Sequence, residues 1–187
     1  MILTHKTVLF LGSSVTYGAA SCGVSFADMM AETCGLRMVK EAVSGTPLTD
    51  TGAMSYVSRL KAVDRTLPID LMICQLSTND VWQKLPMDGI EDAIRWIIAY
   101  TRETWGCPIV FYTSPRFDSE EYGHMVELLL ALKAELGFSV LDLWNAPDLR
   151  ETDPEAYACY MPDPIHPNER GYREWWTPLF IAFCEAL

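Results

Sequence analysis

Two short stretches of this chain combine residue types able to form and break a covalent bond to a substrate. The first is Thr7-Val8-Leu9-Phe10-Leu11-Gly12-Ser13-Ser14-Val15-Thr16-Tyr17-Gly18, where an apolar run stops abruptly at glycine and hydroxyl residues. Consecutive apolar and β-branched residues suit a strand covered on both faces, and Gly12 can take the tight or positive-φ turn that lets the following amides converge on one point. The hydroxyl delivered there, Ser13 or Ser14, is a candidate nucleophile. The second stretch is Asp163-Pro164-Ile165-His166. A serine alkoxide does not persist at neutral pH, so an imidazole has to accept its proton and a carboxylate has to hold that imidazole in the right tautomer. A spacing of three, with Pro164 restricting the intervening backbone, lets Asp163 reach Nδ1 of His166 and leaves Nε2 facing outward.

Other chemistries are poorly supplied. The six cysteines, Cys22, Cys34, Cys74, Cys107, Cys159 and Cys184, form no CxxC pair and read as reduced thiols, Cys74 as a small buried hydrophobe. His5, His124 and His166 are too dispersed for a zinc signature, so no metal is expected. Acidic residues outnumber basic ones 25 to 14, a formal charge of -11 that repels phosphate backbones and anionic membrane surfaces, so nucleic acid is not an expected partner. No apolar segment approaches the length of a membrane span, and Met1 to Lys6 lack the layout of a secretory signal, which places the expected location in the cytoplasm.

The elements that must position these residues alternate between strand-like and helix-like periods. Ser25 caps a helix with Asp28 in its first turn and Gly35 at its end. Leu36 to Ala42, with Arg37 and Lys40 interleaved, reads as a charged edge strand. Val43 to Gly52 is a loop by composition; helical spacing resumes at Met54, Val57, Leu60 and Val63, and the strand Leu71 to Leu76 runs into Ser77-Thr78-Asn79-Asp80. A long amphipathic helix with Ile90, Ile94, Ile97, Ile98 and Trp105 on one side leads to the strand Ile109 to Tyr112, then a helix from about Ser119 to Leu136 and a strand from Phe138 to Leu143. Asn145 to Pro167, with five prolines, is the least regular part. The last helix starts at Asn168 with Tyr172, Trp175, Trp176, Leu179, Phe180 and Phe183 as its buried stripe. At Pro178 it either kinks or restarts from a Thr177 cap. Such alternation calls for right-handed crossovers and a parallel sheet with helices on both faces, in a single domain spanning 1–187. Ligands then bind beyond the carboxyl ends of the strands, where Ser14, Asn79 and Arg116 fall.

Four blocks in order resemble the SGNH, or GDSL-type, hydrolase superfamily. Gly12-Ser13-Ser14-Val15-Thr16 is similar to the first block with Ser14 in the nucleophile position, Gly45 to the second-block glycine, Ser77-Thr78-Asn79-Asp80 to the Gly-x-Asn-Asp block, and Asp163-Pro164-Ile165-His166-Pro167-Asn168 to the last. Ser13 stands where the family has the aspartate of Gly-Asp-Ser, and Ser77 where it has the glycine of the third block. The resemblance implies an α/β, three-layer α/β/α flavodoxin-like fold with about five parallel strands in the order 2-1-3-4-5. It also implies roles: Ser14 attacks an acyl carbon, His166 relays the proton, Asp163 orients His166, and the amides of Ser14 and Gly45 with the Asn79 side chain bind the oxyanion, with no metal or organic cofactor.

The expected activity is therefore a serine esterase acting on a small-molecule acyl ester, with a short, acetyl-like acyl group. Tyr17, Trp82, Arg116 and Phe117 are the side chains expected to rim a shallow pocket. A lysophospholipase or thioesterase on longer chains is the alternative within enzymes. A carbohydrate-binding or scaffold protein that kept the fold without turnover is the alternative outside them.

Overall fold

Every residue of β1 (Thr7–Gly12) is buried, as its apolar run requires of a strand flanked on both sides. In the computed structural model, which describes residues 1–187, it lies second in a five-stranded sheet of order β2-β1-β3-β4-β5. The other strands are β2 (Arg37–Ala42), β3 (Leu71–Gln75), β4 (Ile109–Tyr112) and β5 (Ser139–Leu141), and all four pairings are parallel. β2 is the edge its charges foretell: none of its residues is fully buried, whereas β3 and β4 are buried throughout.

Two layers of helices cover the sheet, and the alternation of side chains along β1 separates them. Leu9 and Leu11 join a cluster of 28 buried residues with α3 (Tyr56–Ala62), α5 (Met87–Trp105) and α6 (Glu120–Leu136). Val8 and Phe10 join a cluster of 19 with α2 (Phe26–Cys34) and the C-terminal helix. Phe26 centres this second layer: it stacks on Phe180 at 4.0 Å between ring centroids and makes edge contacts with Phe10 and Tyr112. Ser25 caps α2 in a capping box with Asp28, and Gly35 ends it at φ 65°. No helix is long and apolar enough to cross a membrane.

Several boundaries differ from the pattern. Met54 lies ahead of α3, which Ser55 caps, and is 53% exposed. β5 is three residues long because Asp142 leaves the ladder, accepting from the Asn145 amide and side chain instead. Asn145 to Pro167 holds two short helices, α7 (Leu149–Thr152) and α8 (Pro154–Tyr160), each started by an aspartate cap, Asp148 and Asp153. At Pro178 the helix does not restart from a Thr177 cap. α9 (Glu169–Gly171) runs through a π-helical turn, Tyr172–Trp176, into α10 (Thr177–Glu185), and the Thr177 amide reaches back to the Tyr172 carbonyl. The wider turn accommodates the imino residue. Over the step from Tyr172 to Trp176 it also counters the drift of about 40° that residues spaced by four show in a regular α-helix; Tyr172, Trp176, Phe180 and Cys184 are all buried. Trp175, Leu179 and Phe183 only flank that face.

Phe26→Ala removes the ring on which this layer packs, and urea unfolding is expected to show a loss of about 3 to 5 kcal/mol. A loss under 1 kcal/mol would mean that Phe180 and Trp176 carry the layer without it.

Candidate active site

β1 delivers its two serines in opposite directions. Ser13 is fully buried, and its amide (2.9 Å) and hydroxyl (3.3 Å) both donate to Gln75 Oε1 at the end of β3. Thr16 Oγ1 donates to the same oxygen (3.0 Å) and accepts from the Tyr112 hydroxyl (2.7 Å), since its one proton is already committed to Gln75. Ser14 opens α1 (Ser14–Tyr17), and its hydroxyl is turned the other way. Gly12 is needed for space, contrary to the expectation of an unusual φ. It is absent from the positive-φ glycines, but a Cβ there would lie 1.8 Å from Thr16 Oγ1. The left-handed glycine is Gly18, at φ 94°, which closes α1.

Ser14 Oγ lies 2.8 Å from Nε2 of His166, and Nδ1 of His166 lies 2.9 and 3.1 Å from the two carboxylate oxygens of Asp163. Asp163 Oδ1 also accepts from the backbone amides of Ile165 and His166, both at 2.8 Å, so the four-residue spacing closes into a turn around the carboxylate. Partial burial works to raise the Asp163 pKa, but those two amides and the imidazole outweigh it and hold the carboxyl below its ordinary value. Asp163 is therefore ionised at neutral pH. The His166 segment is pinned at its C-terminal side by Asn168, which caps α9 and donates to the Cys159 carbonyl. The Tyr172 hydroxyl donates to the Val15 carbonyl (2.7 Å), tying the helix after His166 to the turn that carries Ser14.

The loop after β2 forms the opposite wall. Gly45 sits at φ 79°, a conformation that favours glycine, and its amide donates no hydrogen bond within the protein. The carbonyls of this stretch are gripped by α4 (Asn79–Trp82) and the residue after it: Gln83 Nε2 donates to Gly45 O and Asn79 Nδ2 to Thr46 O, each at 3.0 Å. One Asn79 amide proton is thus used internally and the other is free. The Ser14 amide lies in the first turn of α1, where amides have no partner within the helix.

Two buried ionic side chains that the sequence reading left without a role hold this loop. Asp80 is fully buried and accepts from Leu48 N (2.7 Å), Thr49 N (2.9 Å) and Thr49 Oγ1 (2.6 Å). Arg59 of α3, only 7% exposed, donates to the carbonyls of Gly12, Glu41 and Met54 and to Thr46 Oγ1. Burial pulls its pKa below the usual guanidinium value, yet an arginine stays charged at any working pH. One signal for Arg59 was legible: a cation beside Tyr56, Val57 and Leu60 on the apolar inner face of a helix. Gln75, the polar residue within an apolar strand, carried a similar signal.

The expected rim residues divide. Tyr17 (45% exposed) and Trp82 (70%) are the last residues of α1 and α4, and the Lys40 ammonium lies over the Tyr17 ring. Arg116 is exposed, but it lies over the Trp144 ring and lines surface cavities of about 210 and 180 Å³ with Asp148 and Ala146, neither of which includes Ser14 or His166. Phe117, at 8% exposure, packs in a three-ring cluster with Tyr122 and Trp144 in the core. None of the principal cavities is lined by Ser14, Asn79 or His166. No cluster of three or more His, Cys, Asp or Glu side chains is arranged to hold a metal ion.

A family model described as GDSL-like Lipase/Acylhydrolase matches residues 10–174. No curated protein matches the chain. Among solved structures, a protein from Lactobacillus plantarum superposes with TM-score 0.80 at 17% identity over 98% of each chain. A member of the lipolytic protein G-D-S-L family from Veillonella parvula DSM 2008 gives 0.75 at 18% identity, covering 98% of this chain and 100% of the other. The psychrotrophic esterase EstA from Pseudoalteromonas sp. gives 0.73 at 12% identity over 97% of each.

Asp80→Ala leaves two backbone amides and the Thr49 hydroxyl without their acceptor, and the loss of unfolding free energy in urea is expected to be roughly 3 kcal/mol. Asp80→Asn keeps one acceptor oxygen and should lose clearly less. Equal losses would show that the charge, rather than the acceptors, holds the loop.

Proposed function

The chain belongs to the GDSL-like lipase/acylhydrolase family, and from that membership we propose that it is a serine esterase in which Ser14 attacks the acyl carbon of a small ester. The observation that carries this reading is the 2.8 Å contact between Ser14 Oγ and His166 Nε2, with Asp163 on the far ring nitrogen. Nδ1 then carries the proton and Nε2 is the free base. As Oγ bonds to the carbonyl carbon, its proton passes to Nε2, and the ionised Asp163 stabilises the imidazolium. His166 returns the proton to the departing alcohol, which leaves an acyl ester on Ser14. A water activated by the same imidazole then hydrolyses that ester and restores the hydroxyl.

The negative charge that develops on the carbonyl oxygen falls to the amides of Ser14 and Gly45 and the second Asn79 proton. Donors already held in place, as the Gly45 and Asn79 groups are by their carbonyl and side-chain contacts, stabilise this charge without reorganising when it appears. Ser13 is an unsuitable nucleophile on this reading because its proton is directed to Gln75 and away from His166. A non-catalytic binding or scaffold role is disfavoured by the same contacts, which a binding protein has no need to keep.

A short acyl group is supported by two exposed aromatic side chains, Tyr17 and Trp82, which end the short helices that Ser14 and Asn79 begin. One observation favours the longer-chain alternative: a cavity of about 400 Å³ beside α4, lined largely by Val81, Leu85, Met87, Ile90 and Met125.

Ser14→Ala is expected to abolish both ester hydrolysis and covalent fluorophosphonate labelling, while Ser13→Ala keeps measurable activity; labelling of Ser14→Ala at the parent rate would remove Ser14 from the role. p-Nitrophenyl acetate or butyrate should be turned over with much higher kcat/KM than the palmitate ester, with Trp82→Ala narrowing the gap. A preference for chains of twelve carbons or more, lost on filling the Val81–Met125 cavity with Val81→Phe, would instead establish the lysophospholipase or thioesterase reading.

A further inference from the structure

Arg59 is a buried cation with no carboxylate partner. Its four hydrogen bonds are to neutral oxygens, Gly12 O (2.8 Å), Glu41 O, Met54 O (3.2 Å) and Thr46 Oγ1 (3.1 Å), and its guanidinium lies over the Tyr56 ring. Taking a guanidinium out of water costs several kcal/mol, and surrounding it with carbonyls in place of a counter-charge recovers that only in part. A hydrophobic side chain at this point of α3 would suit the neighbouring core better, so the reason for the charge lies in what its fork holds together.

Those partners are not scattered. Gly12 O is the last carbonyl of β1, in the peptide immediately before Ser13 and Ser14. Glu41 O lies at the end of β2, where the chain leaves for the Gly45 loop. Thr46 follows Gly45 directly, and its side chain both accepts from Arg59 and donates to Val43 O (2.7 Å). Thr46 O in turn receives Asn79 Nδ2 (3.0 Å) and Ser77 Oγ (3.3 Å). A planar fork with fixed donor directions thus spans the gap between the backbone that bears the Ser14 amide and the backbone that bears the Gly45 amide. Through Thr46 it is connected to the residue that bears the Asn79 amide.

We infer that Arg59 is a positioning residue for the oxyanion site, setting the separation of the Ser14 and Gly45 amides and, through Thr46, the placement of Asn79. The inference rests on the esterase reading of Ser14. It accounts for a charge buried among neutral acceptors, because lysine has a single point of attachment and methionine none, whereas the three carbonyls and the hydroxyl lie in different directions. A misplacement of about 1 Å at such a site lowers turnover by on the order of a hundredfold.

The test uses the full chain with p-nitrophenyl acetate, comparing the parent with Arg59→Met, Arg59→Lys and Thr46→Val, each checked for cooperative thermal unfolding. Arg59→Met is expected to lower kcat by roughly ten- to a hundredfold with KM within about twofold, since the amides meet the developing charge more than the ground state. Arg59→Lys should recover only part of that loss. Combined with Asn79→Ala, Arg59→Met should cost less than its separate factor, because the two act on one site. If Arg59→Met fails to fold, Thr46→Val decides, with a fall in kcat at constant KM supporting the inference. Folded variants with kcat within twofold of the parent, or a loss confined to KM or to the unfolding temperature, would overturn the inference and leave the esterase reading intact. A parent that neither hydrolyses the ester nor takes a fluorophosphonate label would overturn both.

Discussion

The contact between Ser14 Oγ and His166 Nε2 joins residues 152 positions apart, and most of the architecture serves to hold that one distance. Ser14 is fixed from β1, which is buried on both faces. His166 comes from a segment with little regular structure of its own, so its position is borrowed from the helix that follows. That helix is locked onto the sheet by Trp176 and Phe180 around Phe26, and onto the Ser14 turn by the Tyr172 hydroxyl. The π-helical turn has its functional consequence here: it keeps Tyr172 on the buried face despite Pro178 six residues later.

The second constraint is the Gly45 loop, which is held by two side chains of opposite charge. Asp80 binds the amides of Leu48 and Thr49, while Arg59 binds carbonyls and the Thr46 hydroxyl nearer the sheet. The two charges form no ion pair with each other; each is satisfied by peptide dipoles. In a low-dielectric interior such ion–dipole contacts are strong and directional, and they fix backbone orientation in a way that apolar packing cannot. A loop whose glycine sits at φ 79° and whose amide makes no internal bond needs that orientation imposed from outside.

Much of this was legible in the sequence because the relevant signals are local. Strand burial, the edge character of β2, the caps at Ser25 and Asn168, and the Asp163-x-x-His166 turn all follow from residues within a few positions of one another. What escaped is long-range or depends on chain direction. Phe117 reads as an aromatic in a binding loop, and only the facing Tyr122 and Trp144 show that it belongs to the core. Gly12 reads as a turn glycine, but its requirement comes from Thr16 packing onto its Cα. Arg59 and Gln75 were visible as polar residues in apolar elements, yet their partners lie in other strands and loops, which no periodicity encodes.

The two departures from the family pattern have a common physical form. Ser13, in place of an aspartate, sends its amide and hydroxyl to Gln75 Oε1, and the Gln75 amide nitrogen is left without a partner. A carboxylate at 13 would face that oxygen acceptor to acceptor and would need the Gln75 side chain reversed, so residues 13 and 75 constrain each other across the β1–β3 ladder. Ser77, in place of a glycine, accepts from the Asn79 amide (3.1 Å) and donates to Thr46 O (3.3 Å), the carbonyl that Asn79 Nδ2 also holds. In both places a hydroxyl small enough to be buried joins the backbone of one block to a neighbouring element. Both hydroxyls therefore fall on the support of Ser14 and Asn79 and take no part in the contacts that join Ser14, His166 and Asp163.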